Sequence, residues 1–411
     1  MSEFLTLQPP RQALALLLKT LPLGGVNEES IPITQALGRV TAEQVLSTEA
    51  LPGFNRSSVD GFAVRAEDTF GASDALPVYL KMVGEVPMGS QTRFSLIKGS
   101  TALIHTGGML PEGSDAVVMV EETQESRQGE IEILKAVAVA ENVILAGEDV
   151  QRGEVVFAKG HRLKPADIGG LAALGMTSVG VKKKPLAAII SSGDEIVPPE
   201  NKIQPGQVRD VNTYLLAALV ERAGGLALPM GIVTDRRDDL LAVAVCALSV
   251  SDLVVITAGS SASTRDLTAS VMQELGEPGV LVHGINIRPG KPTILGVCAG
   301  KAVIGLPGNP VSALVIAGLF VVPVINHLLE IQPSQAPITM QARLAVNLSS
   351  RAGRVDYVPI RLFEENGIWQ ADPIFYKSNL IFSLVKADGL ICIPADANGL
   401  PAGAIVEVIP L

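Results

Sequence analysis

Apolar residues recur along this chain with two different periods, and the period changes with position. From residue 186 onward, short β-branched runs alternate with longer stretches of helical period, for example 212–223 and 237–248. Strands that alternate with helices predict a parallel sheet with helices on both faces. We therefore expect an αβα three-layer domain with a parallel sheet over residues 184–332.

The remaining segments predict three further units. Residues 51–148 contain short alternating runs between loops, which is typical of a β-rich domain. Residues 1–50 and 149–183 carry helical patterns, and we expect them to pack together as a helical stalk or linker domain, with the β-rich domain as an insertion. Residues 333–411 alternate apolar and polar positions between glycine and proline turns, so they predict a C-terminal β-barrel. The expected fold class is multidomain α/β plus β.

One stretch, residues 311–329, is apolar enough to resemble a membrane span. Pro323, Asn326 and His327 interrupt it, and its flanks lack the Lys/Arg bias that orients a spanning helix. We expect a buried helix of a soluble domain or dimer interface, and no membrane association. The N-terminus lacks a basic start and an apolar core, so no signal peptide is expected.

Charge and cysteine content limit the possible partners. The chain of 411 residues has a net charge of −10, which argues against a nucleic-acid surface. The only dense basic run, Lys182-Lys183-Lys184, predicts a solvated turn. Cys246, Cys298 and Cys392 lie in apolar runs without CxxC spacing, so we expect small buried hydrophobic residues in a reducing, cytoplasmic compartment.

Candidate chemistry concentrates between residues 254 and 310. A β-branched run ends in a small-residue loop that includes Gly259, Ser260 and Ser261, and a helix is expected to follow with Asp266 as its N-cap. Small residues let the backbone approach an anion, and a helix start favours negative charge. This pattern indicates a ligand that carries a phosphate or another oxyanion.

Acidic residues follow several predicted strands: Asp194-Glu195, Asp235 and Asp266. Because the carboxyl ends of parallel strands meet at one edge of a sheet, we expect these side chains to cluster there. Carboxylates facing an anionic substrate would repel it unless a cation intervenes, and oxygen ligands suit Mg²⁺. Asp235 has a second interpretation, the N-cap of the following helix.

Basic and rigid motifs supply the complementary charge. Arg288 and Lys291 flank a Pro-Gly pair, an arrangement that suits an oxyanion site or, equally, a plain turn. The run 305–310 has two glycines and two prolines where a helix begins, and Ser312 adds a hydroxyl near that helix start. Signatures of dinucleotide binding, P-loop hydrolysis and α/β-hydrolase chemistry are absent from the sequence.

These motifs resemble one family over essentially the whole chain, the MoeA-type molybdenum insertases, or molybdopterin molybdenumtransferases, related to the E domain of gephyrin. The matching segments are Leu51-Pro52-Gly53-Phe54, Ser58 to Arg65, Thr106 to Gly113, Gly147-Glu148-Asp149, Ser192-Gly193-Asp194-Glu195, Asp210-Val211-Asn212, Arg288 to Pro292, Gly305 to Pro310, Gly353 to Tyr357 and Ser378 to Ser383.

The resemblance implies four domains, a homodimer, and transfer of molybdate into the dithiolene of adenylylated molybdopterin with release of AMP, assisted by Mg²⁺. Other proteins of the same pathway would be possible partners. By motif, the residues linked to activity are Asp60, Thr106, Asp149, Glu195, Asp235, Asp266 and Lys291, with Glu195, Asp235 and Asp266 as metal ligands. Those expected to bind substrate are Ser192, Gly193, Gly259, Ser260, Ser261, Arg288, Gly290, Pro307, Asn309, Ser312, Arg354 and Ser378.

The chain departs from the family pattern at two places. Where the family usually has Gly-Gly-x-Ser-x-Gly, residues 258–264 place Ser260 and Thr264 at two glycine positions, and Arg288 stands where many members carry Lys. The retained carboxylates favour an active insertase. The altered loop favours a weak paralogue that binds a pterin or nucleotide as a carrier or scaffold. Insertion of tungstate instead of molybdate is a further alternative, because the two oxyanions have nearly the same size and charge.

Overall fold

The computed structural model describes residues 7–23, 26–127, 129–258, 262–331, 339–375 and 377–411, without the side chains of 262–265. The helices of this part of the chain are α1 (Pro10–Thr20), α2 (Pro165–Ala173), α3 (Asn212–Ala223), α4 (Arg237–Val250), α5 (Ala262–Glu274), α6 (Pro310–Leu328) and α7 (Phe382–Val385). Its strands are β1 (Glu28–Pro32), β2 (Val45–Leu46), β3 (Arg56–Ser57), β4 (Gly61–Val64), β5 (Val78–Glu85), β6 (Ser100–Ile104), β7 (Ala116–Met119), β8 (Thr123–Arg127), β9 (Glu130–Ile133), β10 (Val143–Ile144), β11 (Val155–Phe157), β12 (Ser178–Lys182), β13 (Leu186–Ser192), β14 (Ile196–Val197), β15 (Val208–Arg209), β16 (Leu226–Val233), β17 (Leu253–Ala258), β18 (Pro278–His283), β19 (Ile287–Arg288), β20 (Ile294–Cys298), β21 (Lys301–Pro307), β22 (Met340–Leu344), β23 (Leu348–Ser349), β24 (Val355–Glu365), β25 (Ile368–Pro373), β26 (Gly389–Ile393), β27 (Gly399–Leu400) and β28 (Ile405–Pro410).

The central sheet has six strands in the order β16-β13-β17-β21-β20-β18. The pairs among β16, β13, β17 and β21 are parallel, as expected, but β20 is antiparallel to both of its neighbours. The predicted parallel sheet is therefore mixed at this edge. The physical reason is the two-residue turn Ala299-Gly300, where both φ values are positive, which makes β20 and β21 a hairpin.

Helices cover both faces of this sheet and form three layers. One core contains side chains of α1, α3 and α6, including Leu17, Leu216 and Phe320. The opposite core contains side chains of α4 and α5, including Leu240 and Met272. The predicted αβα arrangement is confirmed. Helix α1 packs on this sheet, whereas the sequence analysis placed it in the helical stalk.

Helix α6 is the apolar segment that resembled a membrane span. It is the one helix of the described chain with the length and hydropathy to cross a membrane, and 61% of its apolar window is buried inside the protein. The buried side chains, such as Phe320 and Val324, pack against the central sheet. Its burial is that of a core helix.

Three further units surround the central sheet. Strand β1 pairs with β12, and β2 pairs with β11, so residues 28–46 and 155–182 share one small core. A second six-stranded sheet has the order β7-β4-β6-β5-β9-β8. Near the C-terminus, β24-β25-β22-β28-β26 closes into a five-stranded barrel through the β24–β26 pairing, as predicted. The exact domain boundaries stay a prediction.

Two interpretations of single residues need correction. Lys182 is not in a solvated turn: it lies in β12 with its side chain 5% exposed, and it contacts Glu28 and Glu330. Of the cysteines, only Cys298 is buried, whereas Cys246 and Cys392 are exposed. Sequence hydrophobicity did not reveal these environments, because partners from distant segments cover Lys182, and the apolar runs present their cysteines on outward faces.

Candidate functional site

A cavity of about 900 Å³ lies where the loops of the central sheet meet the barrel. Strand β19 connects the two units, because Ile287 and Arg288 pair in parallel with Val355 and Asp356 of β24. The cavity brings together eight predicted substrate-binding or catalytic residues from four separate segments: Arg288, Gly290, Lys291, Pro307, Asn309, Ser312, Arg354 and Ser378.

The loop after β19 forms the first wall of the cavity. Gly290 has φ +103°, and a Cβ atom there would lie 2.3 Å from Cγ1 of Ile316 on α6, so only glycine fits. The Thr293 hydroxyl donates to the carbonyl of Gly290 at 2.6 Å and fixes the turn. The exposed side chains of Arg288 and Lys291 are thereby held at one edge of the cavity.

The start of α6 forms the second wall. The Asn212 amide donates to the carbonyl of Gly308 at 2.8 Å, which ties this turn to α3. The Asn309 amide donates to the hydroxyl of Ser378 at 3.0 Å, and the backbone N–H of Val311 donates to the Ser378 carbonyl at 3.2 Å. The helix start and the barrel loop are therefore one hydrogen-bonded unit.

The third wall is strand β24, and it contains a residue that the sequence analysis did not select. Asp356 is buried, and its carboxylate accepts hydrogen bonds from Arg354 Nε at 2.7 Å and Nη2 at 3.1 Å. The sequence contained a signal, because Asp356 follows Arg354 by only two residues, close enough for an acid and a base to pair. Lys377, which also lines the cavity beside Ser378, was missed as well.

The charge of the cavity is strongly positive. Among the described residues, four cationic side chains line it against one carboxylate, Asp356: Arg288, Lys291, Arg354 and Lys377. Guanidinium groups bind tetrahedral oxyanions and phosphates through paired hydrogen bonds. The arrangement is suited to a ligand that carries more than one anionic group.

A second group of predicted residues lies at the carboxyl ends of β13 and β16. The buried Ser192 hydroxyl donates to Asp235 Oδ1 at 2.7 Å, and the backbone N–H of Asp235 donates to Asp194 Oδ1 at 3.2 Å. Glu195 folds back toward the turn, since a Cβ on Gly193 would lie 2.8 Å from its Oε2. The predicted strand-end clustering therefore holds for the residues after β13 and β16.

Neither Asp235 nor Asp266 is the N-cap residue that the sequence predicted. Helix α4 begins at Arg237 with Arg236 as its N-cap, and Asp235 bonds to Ser192 instead. Helix α5 begins at Ala262, so Asp266 lies inside it, where its side chain is exposed. Helix α5 therefore begins earlier in the sequence than the polar pattern indicated. Gly259, Ser260 and Ser261 lie outside the described residues.

The expected metal ligands do not form a protein-only metal site. Within the described ranges, no three Asp, Glu, His or Cys side chains are grouped to hold a metal ion, so Glu195, Asp235 and Asp266 are not assembled into a ligand set. Mg²⁺ commonly binds one or two carboxylates together with substrate phosphates and water. The carboxylates after β13 and β16 fit that mode and not a closed cage.

The remaining predicted residues, Asp60, Thr106 and Asp149, are in or near the second six-stranded sheet, and they do not line this cavity. Asp60 accepts hydrogen bonds from the backbone N–H of Thr106 at 2.8 Å and from its hydroxyl at 3.1 Å. These bonds lower the pKa of Asp60 below its usual value, with a smaller contribution from His105. Asp149 is exposed, and its backbone N–H donates to the Leu51 carbonyl.

Family comparisons agree with this architecture. Residues 8–175 match the MoeA N-terminal region (domain I and II), residues 188–327 match a model described as "Probable molybdopterin binding domain", and residues 341–411 match the MoeA C-terminal region (domain IV). Curated relatives named molybdopterin molybdenumtransferase include one from Staphylococcus epidermidis, 31% identical with 93% of this chain and 91% of the relative covered. Another, from Haemophilus influenzae, is 30% identical with 97% of each chain covered.

Solved structures show the same likeness. A molybdopterin biosynthesis MoeA protein from Pyrococcus horikoshii superposes with a TM-score of 0.86 at 32% identity, covering 99% of this chain and 100% of the other. A second MoeA structure from Pyrococcus gives a TM-score of 0.80 at 40% identity, covering 98% and 99%. The chain therefore belongs to the MoeA family.

Proposed function

We propose that this protein is a molybdopterin molybdenumtransferase, an enzyme of molybdenum cofactor biosynthesis that acts in the cytoplasm. It transfers molybdate into the dithiolene of adenylylated molybdopterin, and cleavage of the phosphoanhydride releases AMP. The names of its curated relatives support the activity. The observation that carries the proposal is the cationic cavity between the central sheet and the barrel.

The cavity suits the substrates in both size and charge. A volume of about 900 Å³ is in the range of sites for drug-sized ligands. The oxyanion and the pterin phosphate both require cationic or hydroxyl donors, which Arg288, Lys291, Arg354 and Ser378 supply. The described residues that line the cavity include no cysteine. This agrees with a substrate that brings its own two sulfur ligands to the metal.

The residues have distinct proposed roles. The guanidinium of Arg354 and the hydroxyl of Ser378 bind molybdate, and Arg288 and Lys291 bind the pterin phosphate, with Lys291 also placed to stabilise charge as the reaction proceeds. Gly290, Pro307, Asn309 and Ser312 shape the cavity around the substrate. Ser192, Gly193, Gly259, Ser260 and Ser261 are proposed contacts of the adenylate at the edge of the sheet.

Mg²⁺ is proposed to bind the phosphates of the adenylate. Glu195, Asp235 and Asp266 are the carboxylates assigned to it, and Asp235 is oriented by the Ser192 hydroxyl. The ion would neutralise phosphate charge, so the acidic sheet edge would not repel the substrate. The protein's own contribution at this edge is to orient the phosphates against the turn after β13.

A homodimer would complete the site. Asp60 and Thr106 are hydrogen-bonded to each other at one end of the second six-stranded sheet, and Asp149 follows that sheet in the sequence. None of these three residues lines the cavity of its own chain. We propose that they act on the substrate of the partner subunit, because two-fold symmetry would give two equivalent shared sites. Mixing Asp60→Ala protein with Asp266→Ala protein under subunit exchange should restore activity, at most to about half per mixed dimer. If exchange is verified and no activity returns, the sites are not shared.

The direct test is an assay of purified protein with adenylylated molybdopterin, Mg²⁺ and molybdate. We expect stoichiometric AMP and metallated cofactor. A parallel reaction with tungstate compares the two oxyanions. Tight binding of the pterin without AMP release or metal insertion would instead support a carrier or scaffold.

A further inference from the structure

A buried carboxylate lies directly behind the cationic wall of the cavity. Asp356 is 3% exposed, and its two oxygens have four polar neighbours. Arg354 donates to both oxygens, at 2.7 and 3.1 Å, and the Ser350 hydroxyl donates to Oδ2 at 3.0 Å. The fourth neighbour, Nη1 of Arg288, lies 3.9 Å from Oδ2.

The presence of this acid is unexpected on charge alone. A carboxylate in a cavity built for anions repels the ligand, and burial of a charge costs free energy unless it is paired. Arg354 alone would pair it. Yet the β19–β24 register also places Arg288 opposite Asp356, so two guanidiniums from different units converge on one carboxylate.

The geometry leaves donors of both arginines free for a ligand. Asp356 holds the Nε and Nη2 edge of Arg354, whose Nη1 makes no hydrogen bond with the described residues. The Arg288 side chain is 63% exposed. Without the carboxylate, two adjacent guanidiniums would repel each other and turn toward water.

We propose that Asp356 is a positioning residue: it fixes Arg354 so that the free N–H groups of this arginine point at the molybdate, and it orients Arg288 toward the neighbouring pterin phosphate. This role rests on the proposed function, because it assumes that the cavity binds molybdate. Ser350 supports it by holding one carboxylate oxygen in place. Asp356 itself does not touch the substrate.

The direction in which the molybdate affinity changes distinguishes a positioning role of Asp356 from a purely electrostatic effect of its charge. Asp356→Asn keeps the shape of the side chain and removes its negative charge. If the charge acted only through space, molybdate would bind more tightly to the variant. If Asp356 positions the arginines, molybdate should bind roughly tenfold or more weakly, the order of one lost hydrogen bond to a charged group.

The measurement is calorimetric titration of the full-length protein with molybdate alone. Asp372→Asn is the matched control, since it makes the same change at an exposed position of the barrel on β25 and should leave binding unchanged. Ser350→Ala removes a single hydrogen bond to Asp356 and should weaken binding in the same direction by a smaller factor. It keeps the test decisive should Asp356→Asn fail to fold.

A double variant shows whether the two residues act together. If Asp356 acts through Arg354, adding Asp356→Asn to Arg354→Ala should weaken binding much less than it does in the wild-type background. Unchanged or tighter binding in Asp356→Asn, with wild-type binding intact, would overturn the positioning role alone. Failure of the wild-type protein to bind molybdate would overturn the proposed oxyanion site itself.

Discussion

Replacing Lys182 by methionine tests whether one buried cation ties distant parts of this chain together. Its side chain is 5% exposed, and its Nζ lies 3.1 Å from Glu28 Oε1 and 2.9 Å from Glu330 Oε1. Those carboxylates are 154 and 148 residues away in sequence. Methionine keeps much of the apolar stem and removes the charge.

The expected loss follows from the environment of each partner. Removing one member of a buried ion pair typically costs about 3–5 kcal/mol. Here Glu330 keeps Lys159 at 3.0 Å, and the Glu28 side chain is 48% exposed, so water and a second lysine relieve part of the cost. We expect a loss of about 2 kcal/mol in the free energy of unfolding.

The assay is urea unfolding followed by circular dichroism, with Lys183→Met as the matched control. Lys183 is the next residue in the same basic run and is exposed, so its replacement should change stability by less than about 0.5 kcal/mol. Equal unfolding midpoints for the two variants would show that the contacts of Lys182 with Glu28 and Glu330 do not stabilise the fold.

The pH dependence of the free energy of unfolding provides a second test of the role of Lys182. Hydrogen bonds from Lys182 and Lys159 hold the pKa of Glu330 below its usual 4.5, so its contribution is present above that value and is lost as the pH falls through the lower, folded pKa. Burial alone would lower the pKa of Lys182, but its bonds to Glu330 and Glu28 raise it above 10.5. That contribution is present below pH 10.5 and is lost as the pH rises through the folded pKa. The difference between wild type and Lys182→Met should be constant between these limits and shrink beyond either one.

Three further predictions concern single positions. Gly290→Ala should destabilise the protein by about 1–3 kcal/mol and weaken molybdate binding, because the alanine Cβ would clash with Ile316 and the φ of this position is +103°. A wild-type melting temperature and wild-type molybdate affinity would contradict this prediction. Thr106→Val should raise the pKa of Asp60 in a carboxyl NMR titration, while the backbone hydrogen bond still keeps it below the usual value. An unchanged pKa would show that the Thr106 hydroxyl does not stabilise the Asp60 carboxylate. Burial raises the pKa of the Cys298 thiol to about 11, so a thiol reagent at pH 8 should label the exposed Cys246 and leave Cys298 unmodified until the protein unfolds. Equally rapid labelling of Cys246 and Cys298 would contradict the burial of Cys298.

Local pattern was sufficient for much of this fold. Helix α3 has the bounds that its amphipathic period predicted, and the barrel follows from alternation and turns. Arg288 and Lys291 were selected because cationic residues beside a rigid Pro-Gly pair indicate an anion site, and Ser312 was selected because it adds a hydroxyl near a helix start. Such inferences need only neighbours in sequence.

Other features depend on contacts that no local pattern encodes. The burial of Lys182 requires Glu28 and Glu330, and the placement of Asp356 requires that β19 pair with a strand nearly seventy residues later in the chain. The reversed direction of β20 is a different case, because it follows from a local two-residue turn that the sequence analysis did not identify. For Lys182 and Asp356, the deciding contacts join segments that are far apart in sequence.

The position of a bound oxyanion can be measured by anomalous diffraction. Crystals of the full chain soaked in tungstate would give an anomalous signal from the metal at the site where a tetrahedral oxyanion binds. We predict a peak inside the cavity, within hydrogen-bonding distance of Arg354 and Ser378 through its oxygens and close to Arg288. A well-occupied peak elsewhere on the protein, with none in this cavity, would contradict the assignment of the cavity as the oxyanion site.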